Sequence, residues 1–195
     1  MIIWQIGFPF LYYGLISVIL RLNERSANLT RHFSARLPLD DSLPFRPGLS
    51  PVYFSAYGLG VAGYLAAFDR PELPRVIIGY IVIFMVSVGF YWLLPSQIAR
   101  ADPGIHDFPR AHWLDSYQRV AKPYNNFPSM HIAFCTYSTL IVLRYFTPVW
   151  LGWLLLFWLG AVMIATLLTK QHYLLDELAG TALALCVAVG IILVP

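Results

Sequence analysis

The sequence predicts an all-α membrane protein, a six-transmembrane-helix bundle with short interfacial helices in its loops. Three observations predict it. Of the 195 residues, 58% are hydrophobic and only 12% are charged. The charges crowd into a few segments, and the uncharged runs between them are roughly 17 to 25 residues long, the length needed to cross a bilayer core. Finally, two histidines and an aspartate sit at the mouths of those runs, where polar side chains are costly and mark functional sites.

The first run, Ile2 to Leu20, has no Lys or Arg ahead of it and no small-residue cleavage pattern behind it, so it reads as a membrane helix rather than a secretory signal. Val52 to Phe68 and Val76 to Leu94 form the second and third spans. Met130 to Phe146, Val149 to Leu168 and His172 to Val194 complete the six. The whole chain, 1–195, then makes a single membrane domain. Six spans place both termini on one side, and the segments 21–50, 95–129 and 169–171 emerge together on the other.

Within the loops, Trp113, Leu114, Tyr117 and Val120 recur at helical spacing between Arg110 and Ala121, which predicts a short amphipathic helix at the interface. Leu22, Leu29, Phe33 and Leu37 suggest a second one. Pro103, Gly104, Pro109 and Pro123 prevent one long helix through the 95–129 loop. Rows of small residues, Gly58/Ala62 and Gly63/Ala67 in the second span and Gly180, Ala184 and Ala188 in the sixth, favour close helix approach. A stripe of His131, Cys135 and Ser138/Thr139 in the fourth span suggests that it neighbours the sixth. Cys135 and Cys186 both fall within spans and read as packing residues.

The chemistry concentrates in two short stretches. In Lys170-Gln171-His172-Tyr173-Leu174-Leu175-Asp176 the i, i+4 spacing places Asp176 one helical turn from His172, where a carboxylate orients an imidazole and leaves its second nitrogen free. Such an imidazole serves equally as nucleophile, general base or metal ligand. In Asn125-Asn126-Phe127-Pro128-Ser129-Met130-His131, Pro128 suits a first helical turn and Ser129 a cap, so the amides around Ser129 and His131 are expected to form an anion nest. An anion nest beside two histidines fits phosphoryl transfer. Arg100, Lys122 and Lys170 are the candidate cations for the phosphate, and each also has a topological or snorkelling reading. His32, His106 and His112 read as loop residues. There is no His-Glu-x-x-His helix, cysteine set or carboxylate cluster near His131, so neither a metal nor another cofactor is expected.

Phe127-Pro128-Ser129-Met130-His131 and His172-Tyr173-Leu174-Leu175-Asp176-Glu177-Leu178-Ala179-Gly180 resemble the second and third signatures of the type 2 phosphatidic acid phosphatase superfamily. They are similar in particular to its branch with the inositol phosphorylceramide synthases and sphingomyelin synthases. The resemblance implies a metal-independent phosphatase or phosphotransferase in which His172 attacks phosphorus, Asp176 orients it and His131 protonates the leaving group. Its substrate would be a lipid phosphate or phospholipid, with water or an alcohol as acceptor. Two features depart from the pattern. The phosphatase Lys-x6-Arg-Pro signature is reduced to Arg100 within Pro95-Ser96-Gln97-Ile98-Ala99-Arg100-Ala101, and Ala165 and Thr166 replace the expected Ser-Arg pair.

Other classes fit less well. A proton or anion transporter would spread its polar residues along a midplane path and show broken helices or inverted repeats, which this sequence lacks. A catalytically inactive lipid-binding scaffold would not need the intact His/His/Asp set. The net charge of +3 suggests anionic headgroups rather than nucleic acid as the partner. Arg21, Arg25, Arg31, Arg36, Arg46, Arg100, Arg110, Arg119, Lys122 and Lys170 lie on the catalytic side, against Arg70, Arg75 and Arg144 opposite. By the positive-inside rule that side is cytoplasmic. Many relatives work on the other face, so orientation stays open, as do headgroup, acceptor and oligomeric state.

Overall fold

The computed structural model describes residues 2–101, 111–145 and 148–193. Eight helices make up the described chain, with no strand among the described residues: α1 (Ile2–Ala27), α2 (Pro38–Ser42), α3 (Ser50–Ala67), α4 (Leu73–Leu93), α5 (Ala111–Val120), α6 (Met130–Tyr145), α7 (Val149–Leu168) and α8 (Leu174–Ala188). Each of the six predicted spans corresponds to one of the longer helices. Among the described residues three stretches are long and apolar enough to cross a membrane, Leu73–Leu93, Trp150–Leu168 and Leu174–Ile191. α6 has only 16 residues, about 24 Å at 1.5 Å per residue, and it carries Thr136, Ser138 and Thr139. Among the described residues, length and composition thus support three of the six expected spans.

α6 is the central helix. Its buried residues run all round it, from Ile132 and Ala133 to Ile141 and Val142. One cluster joins α6 to α3, α4 and α8 through Tyr64, Ile77, Tyr80, Tyr137 and Ala184, and a second joins it to α3 and α7 through Leu59, Cys135 and Val162. α7 is peripheral, with Trp150, Trp153 and Phe157 largely exposed on its outer side. α1 lies against α4, where the Arg25 guanidinium stacks 3.8 Å from the Trp92 ring.

Small residues set the close contacts, though not all those expected. Gly63 packs so tightly on α6 that an added Cβ would lie 2.7 Å from the Ser138 Cα. An added Cβ on Gly58 would meet nothing within 4 Å, so the Gly58/Ala62 row is not a packing seam. Gly180 has the predicted role at the α6–α8 contact, its Cβ position falling 2.3 Å from the Ser129 carbonyl oxygen. α6 and α8 are neighbours as the stripe suggests, although Cys135 and Ser138 themselves turn to α3: Cys135 Sγ donates to the Ala56 carbonyl and Ser138 Oγ to that of Gly60.

The three loops expected on one side do mesh. Phe33 donates its N–H to the Pro95 carbonyl and accepts from Gln97, Asn125 donates to the Ser96 carbonyl, and Arg46 donates to that of Leu168. The helix suggested by Leu22 to Leu37 is absent: α1 continues to Ala27, and Phe33 is held extended by its bonds to the 95–97 segment. α5 forms where its periodicity predicts. Leu114 is fully buried, and Tyr117 packs edge-on against Tyr53 and Phe54 of α3. Pro103, Gly104, His106, Pro109, Phe146 and Val194, on which parts of the reading fell, lie outside the described residues.

Candidate active site

At the loop end of the bundle, α7 stops in a Schellman motif. Gln171 N–H donates to the Thr166 carbonyl at 2.9 Å and Lys170 N–H to that of Leu167 at 3.1 Å, with Lys170 in the left-handed region at φ 55°. The turn then presents His172 before α8 begins at Leu174. His172 is therefore not a helical neighbour of Asp176, contrary to the i, i+4 expectation. Asp176 reaches back because its Oδ2 accepts the Tyr173 N–H at 2.8 Å, capping the first turn of α8. That bond sets Oδ2 3.7 Å from His172 Nδ1.

His131 stands in the first turn of α6. Ser129 precedes that helix as its cap, accepting the Ile132 N–H on Oγ at 3.3 Å and donating its own N–H to the Asp176 carbonyl at 2.9 Å. Ser129 is thus fully buried between α6 and α8; of the first-turn amides, that of Met130 meets the Tyr91 hydroxyl and that of His131 has no acceptor within the helix. Pro128 lies just outside the helix, joined to Phe127 by a cis peptide, and its carbonyl accepts the Tyr91 hydroxyl at 2.9 Å.

The two imidazoles meet. His172 Nε2 lies 3.4 Å from His131 Nδ1, and the opposite His131 nitrogen, Nε2, is 3.1 Å from the Tyr57 hydroxyl of α3. Tyr57 Oη is in turn 3.3 Å from that of Tyr117 on α5. The result is a polar file, Tyr117–Tyr57–His131–His172–Asp176, in which the two tyrosines carry no sequence signature.

Four members of the file, Tyr117, Tyr57, His131 and His172, line a cavity of about 310 Å³ bounded by α1, α3, α4, α5 and α6. That volume is at the lower end of small-ligand sites. The lining combines apolar side chains, among them Ile19, Val61, Phe84 and Phe134, with polar ones from the loops, Arg100, Lys122, Asn125 and Asn126. Arg100 donates from Nη1 to the Ala121 carbonyl at 2.5 Å, while its buried Nε has no partner. Burial lowers the guanidinium pKa from its ordinary value and the phenols of Tyr117, Tyr53 and Tyr57 oppose that shift, so Arg100 stays charged. Lys122 is exposed at the rim.

Lys170 is placed differently. Its ammonium donates to the Asp40 carbonyl at 2.8 Å and the Leu43 carbonyl at 2.7 Å, so it is bound to the α2 segment and does not line the cavity. Glu177, next to Asp176, is fully buried and hydrogen-bonded to Thr166 Oγ1 across the α7–α8 contact. His32 Nε2 donates to the Ser26 carbonyl at 2.8 Å and its ring stacks on Tyr124, away from the file. His106 and the side chain of His112 lie outside the described residues. No group of three His, Cys, Asp or Glu side chains converges as a metal cluster among the described residues.

Comparison with characterised proteins and with solved structures returns no significant match. A family model, that of the PAP2 superfamily, matches residues 50–190. The match runs from α3 to the end of α8 and contains every member of the polar file together with Arg100 and Lys122. An alignment over most of the chain, on a helical frame that brings both signature histidines together, makes this protein a member of the PAP2 superfamily.

Proposed function

We propose that the protein is a multi-pass membrane enzyme that moves a phosphoryl group from a lipid phosphate or phospholipid by way of a phosphohistidine. Superfamily membership supports a phosphatase- or phosphotransferase-type activity, and the apolar helices support a membrane location. The observation that carries the finer reading is the approach of His172 Nε2 to His131 Nδ1 at 3.4 Å on the cavity wall, with Asp176 behind His172. A phosphoryl group would enter between the two rings, against the His131 amide and the Arg100 guanidinium.

In the first step His172 Nε2 attacks phosphorus, a P–N bond forms and the P–O bond to the lipid alcohol breaks. His131 supplies the proton that the departing oxygen needs. In the second step water or an alcohol gives its proton to His131 and attacks phosphorus, and the P–N bond breaks. Asp176 stabilises the positive charge that His172 acquires while phosphorylated. No metal or other cofactor enters these steps. The synthase-like branch, six spans and a role for Lys122 at the phosphate belong to the same proposal.

The test is purified protein in lipid nanodiscs with a panel of lipid phosphates, lipid diphosphates and phospholipids, read by mass spectrometry, with His172→Ala as control. Free phosphate lost in the variant means a phosphatase, and phosphate on a second alcohol a transferase. Absence of any variant-sensitive product would overturn the proposal.

A further inference from the structure

Asp40 brackets His172 from a distant part of the chain. Its side chain splits between two amides: Oδ2 accepts the Leu37 N–H of its own short helix at 2.7 Å, and Oδ1 accepts the N–H of Leu174, the first residue of α8, at 3.0 Å. Its main-chain carbonyl accepts the Lys170 ammonium, as does that of Leu43. Arg46 N–H adds a bond to the Leu168 carbonyl at 2.8 Å. The segment 40–46 thus grips the turn two residues before His172 and two residues after it, and Asp40 is 5% exposed while doing so.

Lys170 shows that this grip has a cost. A Schellman motif favours glycine at its left-handed position, and a residue with a Cβ there is held against its backbone preference. Lysine occupies the position, and its ammonium makes two bonds that glycine could not make. Strain of this kind persists where the surroundings over-determine it and is concentrated at functional sites. The gripping segment lies outside the family match, since Asp40 to Arg46 precede residue 50, while the turn it grips lies within it.

We propose that Asp40 and Lys170 form a clamp that positions His172 for attack, so that both are positioning residues and neither touches the substrate. The proposal rests on the reading of His172 as nucleophile. The clamp fixes the 168–174 turn from both sides, and a shift of the ring by about 1 Å is enough to cost up to 100-fold in rate.

The test compares wild type with Asp40→Ala, Asp40→Asn, Lys170→Met and Lys170→Gly in nanodiscs, using phosphatidic acid as the probe. Steady-state kinetics, thermal melting and hydrogen–deuterium exchange over residues 168–176 are measured together. Asp40→Ala and Lys170→Met are expected to lower kcat about tenfold with KM within about twofold, and to raise exchange in the turn about tenfold. Asp40→Asn, which keeps an acceptor for the Leu174 amide, is expected to recover most of kcat. Lys170→Gly relieves the backbone and removes the ammonium, so it should lose kcat as Lys170→Met does. Wild-type kcat in Asp40→Ala and Lys170→Met, or a loss matched by loss of folded protein, overturns the clamp. If wild type does not turn over any phosphatidic acid, unchanged exchange in Asp40→Ala overturns the clamp independently, and raised exchange supports it while the fault lies with the substrate reading.

Discussion

The main-chain N–H of Ser129 donates to the carbonyl of Asp176 at 2.9 Å. Through this one bond the cap of α6 is fixed to the first turn of α8, and with it the helix of His131 to the carboxylate that backs His172. The two halves of the site, 41 residues apart by their histidines, are therefore joined by a backbone bond as well as by the contact of the two imidazoles. The contact is possible only because residue 180 has no side chain to hold the helices apart.

Gly180→Ala should accordingly damage both fold and site. Its Cβ would fall 2.3 Å from the Ser129 oxygen and 3.3 Å from the Ala133 nitrogen, both backbone atoms that cannot swing aside. A cost of about 1–3 kcal/mol is expected for such overpacking. Thermal melting in detergent checks it, with Gly58→Ala as the control, since that Cβ meets nothing within 4 Å. Equal melting temperatures in the two variants would remove the close-packing argument.

Asp176→Asn should preserve the fold and impair chemistry. An amide oxygen can still accept the Tyr173 N–H, so the cap of α8 is retained. The negative charge 3.7 Å from His172 Nδ1 is lost, and with it the stabilisation of a positively charged ring. By analogy with other carboxylate–histidine pairs kcat should fall about 10⁴-fold. Single-turnover trapping of the phosphoenzyme would locate the loss, which is expected in its formation.

The site was legible in part, and the reasons are physical. His131, His172 and Asp176 stand in dense local signatures at span ends, and counting spans was enough to put them on one side. Tyr57 was not legible: it lies in an apolar run on α3, 74 residues from His131, and nothing in its neighbours marks it. Asp40 was equally silent, because its partners Lys170 and Leu174 are 130 and 134 residues away. Spacing misplaced His172 on a helix because it cannot foresee a left-handed lysine ending α7. Likewise Gly58 and Gly63 are alike in sequence, and only the packing of α6 against α3 distinguishes them.

Arg100 and Lys122 should differ in weight. Arg100 is partly buried and holds one fixed bond to the Ala121 carbonyl, leaving Nε buried without a partner beside the cavity. A charge-assisted bond to phosphate contributes about 1.5–3 kcal/mol, so Arg100→Ala should lower kcat/KM by roughly 10- to 100-fold. Arg100→Lys should not restore it, since a single ammonium cannot hold the carbonyl and the substrate in the guanidinium's geometry. Lys122→Ala, at an exposed rim position, should cost less than about tenfold and lose that effect in high salt. A salt series of kcat/KM on the three variants separates these expectations.

Tyr57→Phe tests the file of hydrogen bonds itself. The phenol is 3.1 Å from His131 Nε2, and its ring packs edge-on to the imidazole with centroids 5.3 Å apart. As general acid His131 is the imidazolium, whose Nε2–H donates to the Tyr57 hydroxyl and whose Nδ1–H faces His172 Nε2 and the cleft where a leaving oxygen would form. Phenylalanine keeps the ring contact and removes the acceptor that holds the ring in that orientation. Tyr57 is 40% exposed, so folding should be unaffected. Loss of a well-placed proton donor is expected to lower kcat about tenfold while KM changes by less than about twofold. A substrate with a more acidic leaving alcohol needs less protonation, so on a nitrophenyl ester the same variant should approach wild-type kcat. An equal loss on both substrates would mean that Tyr57 does not act through His131.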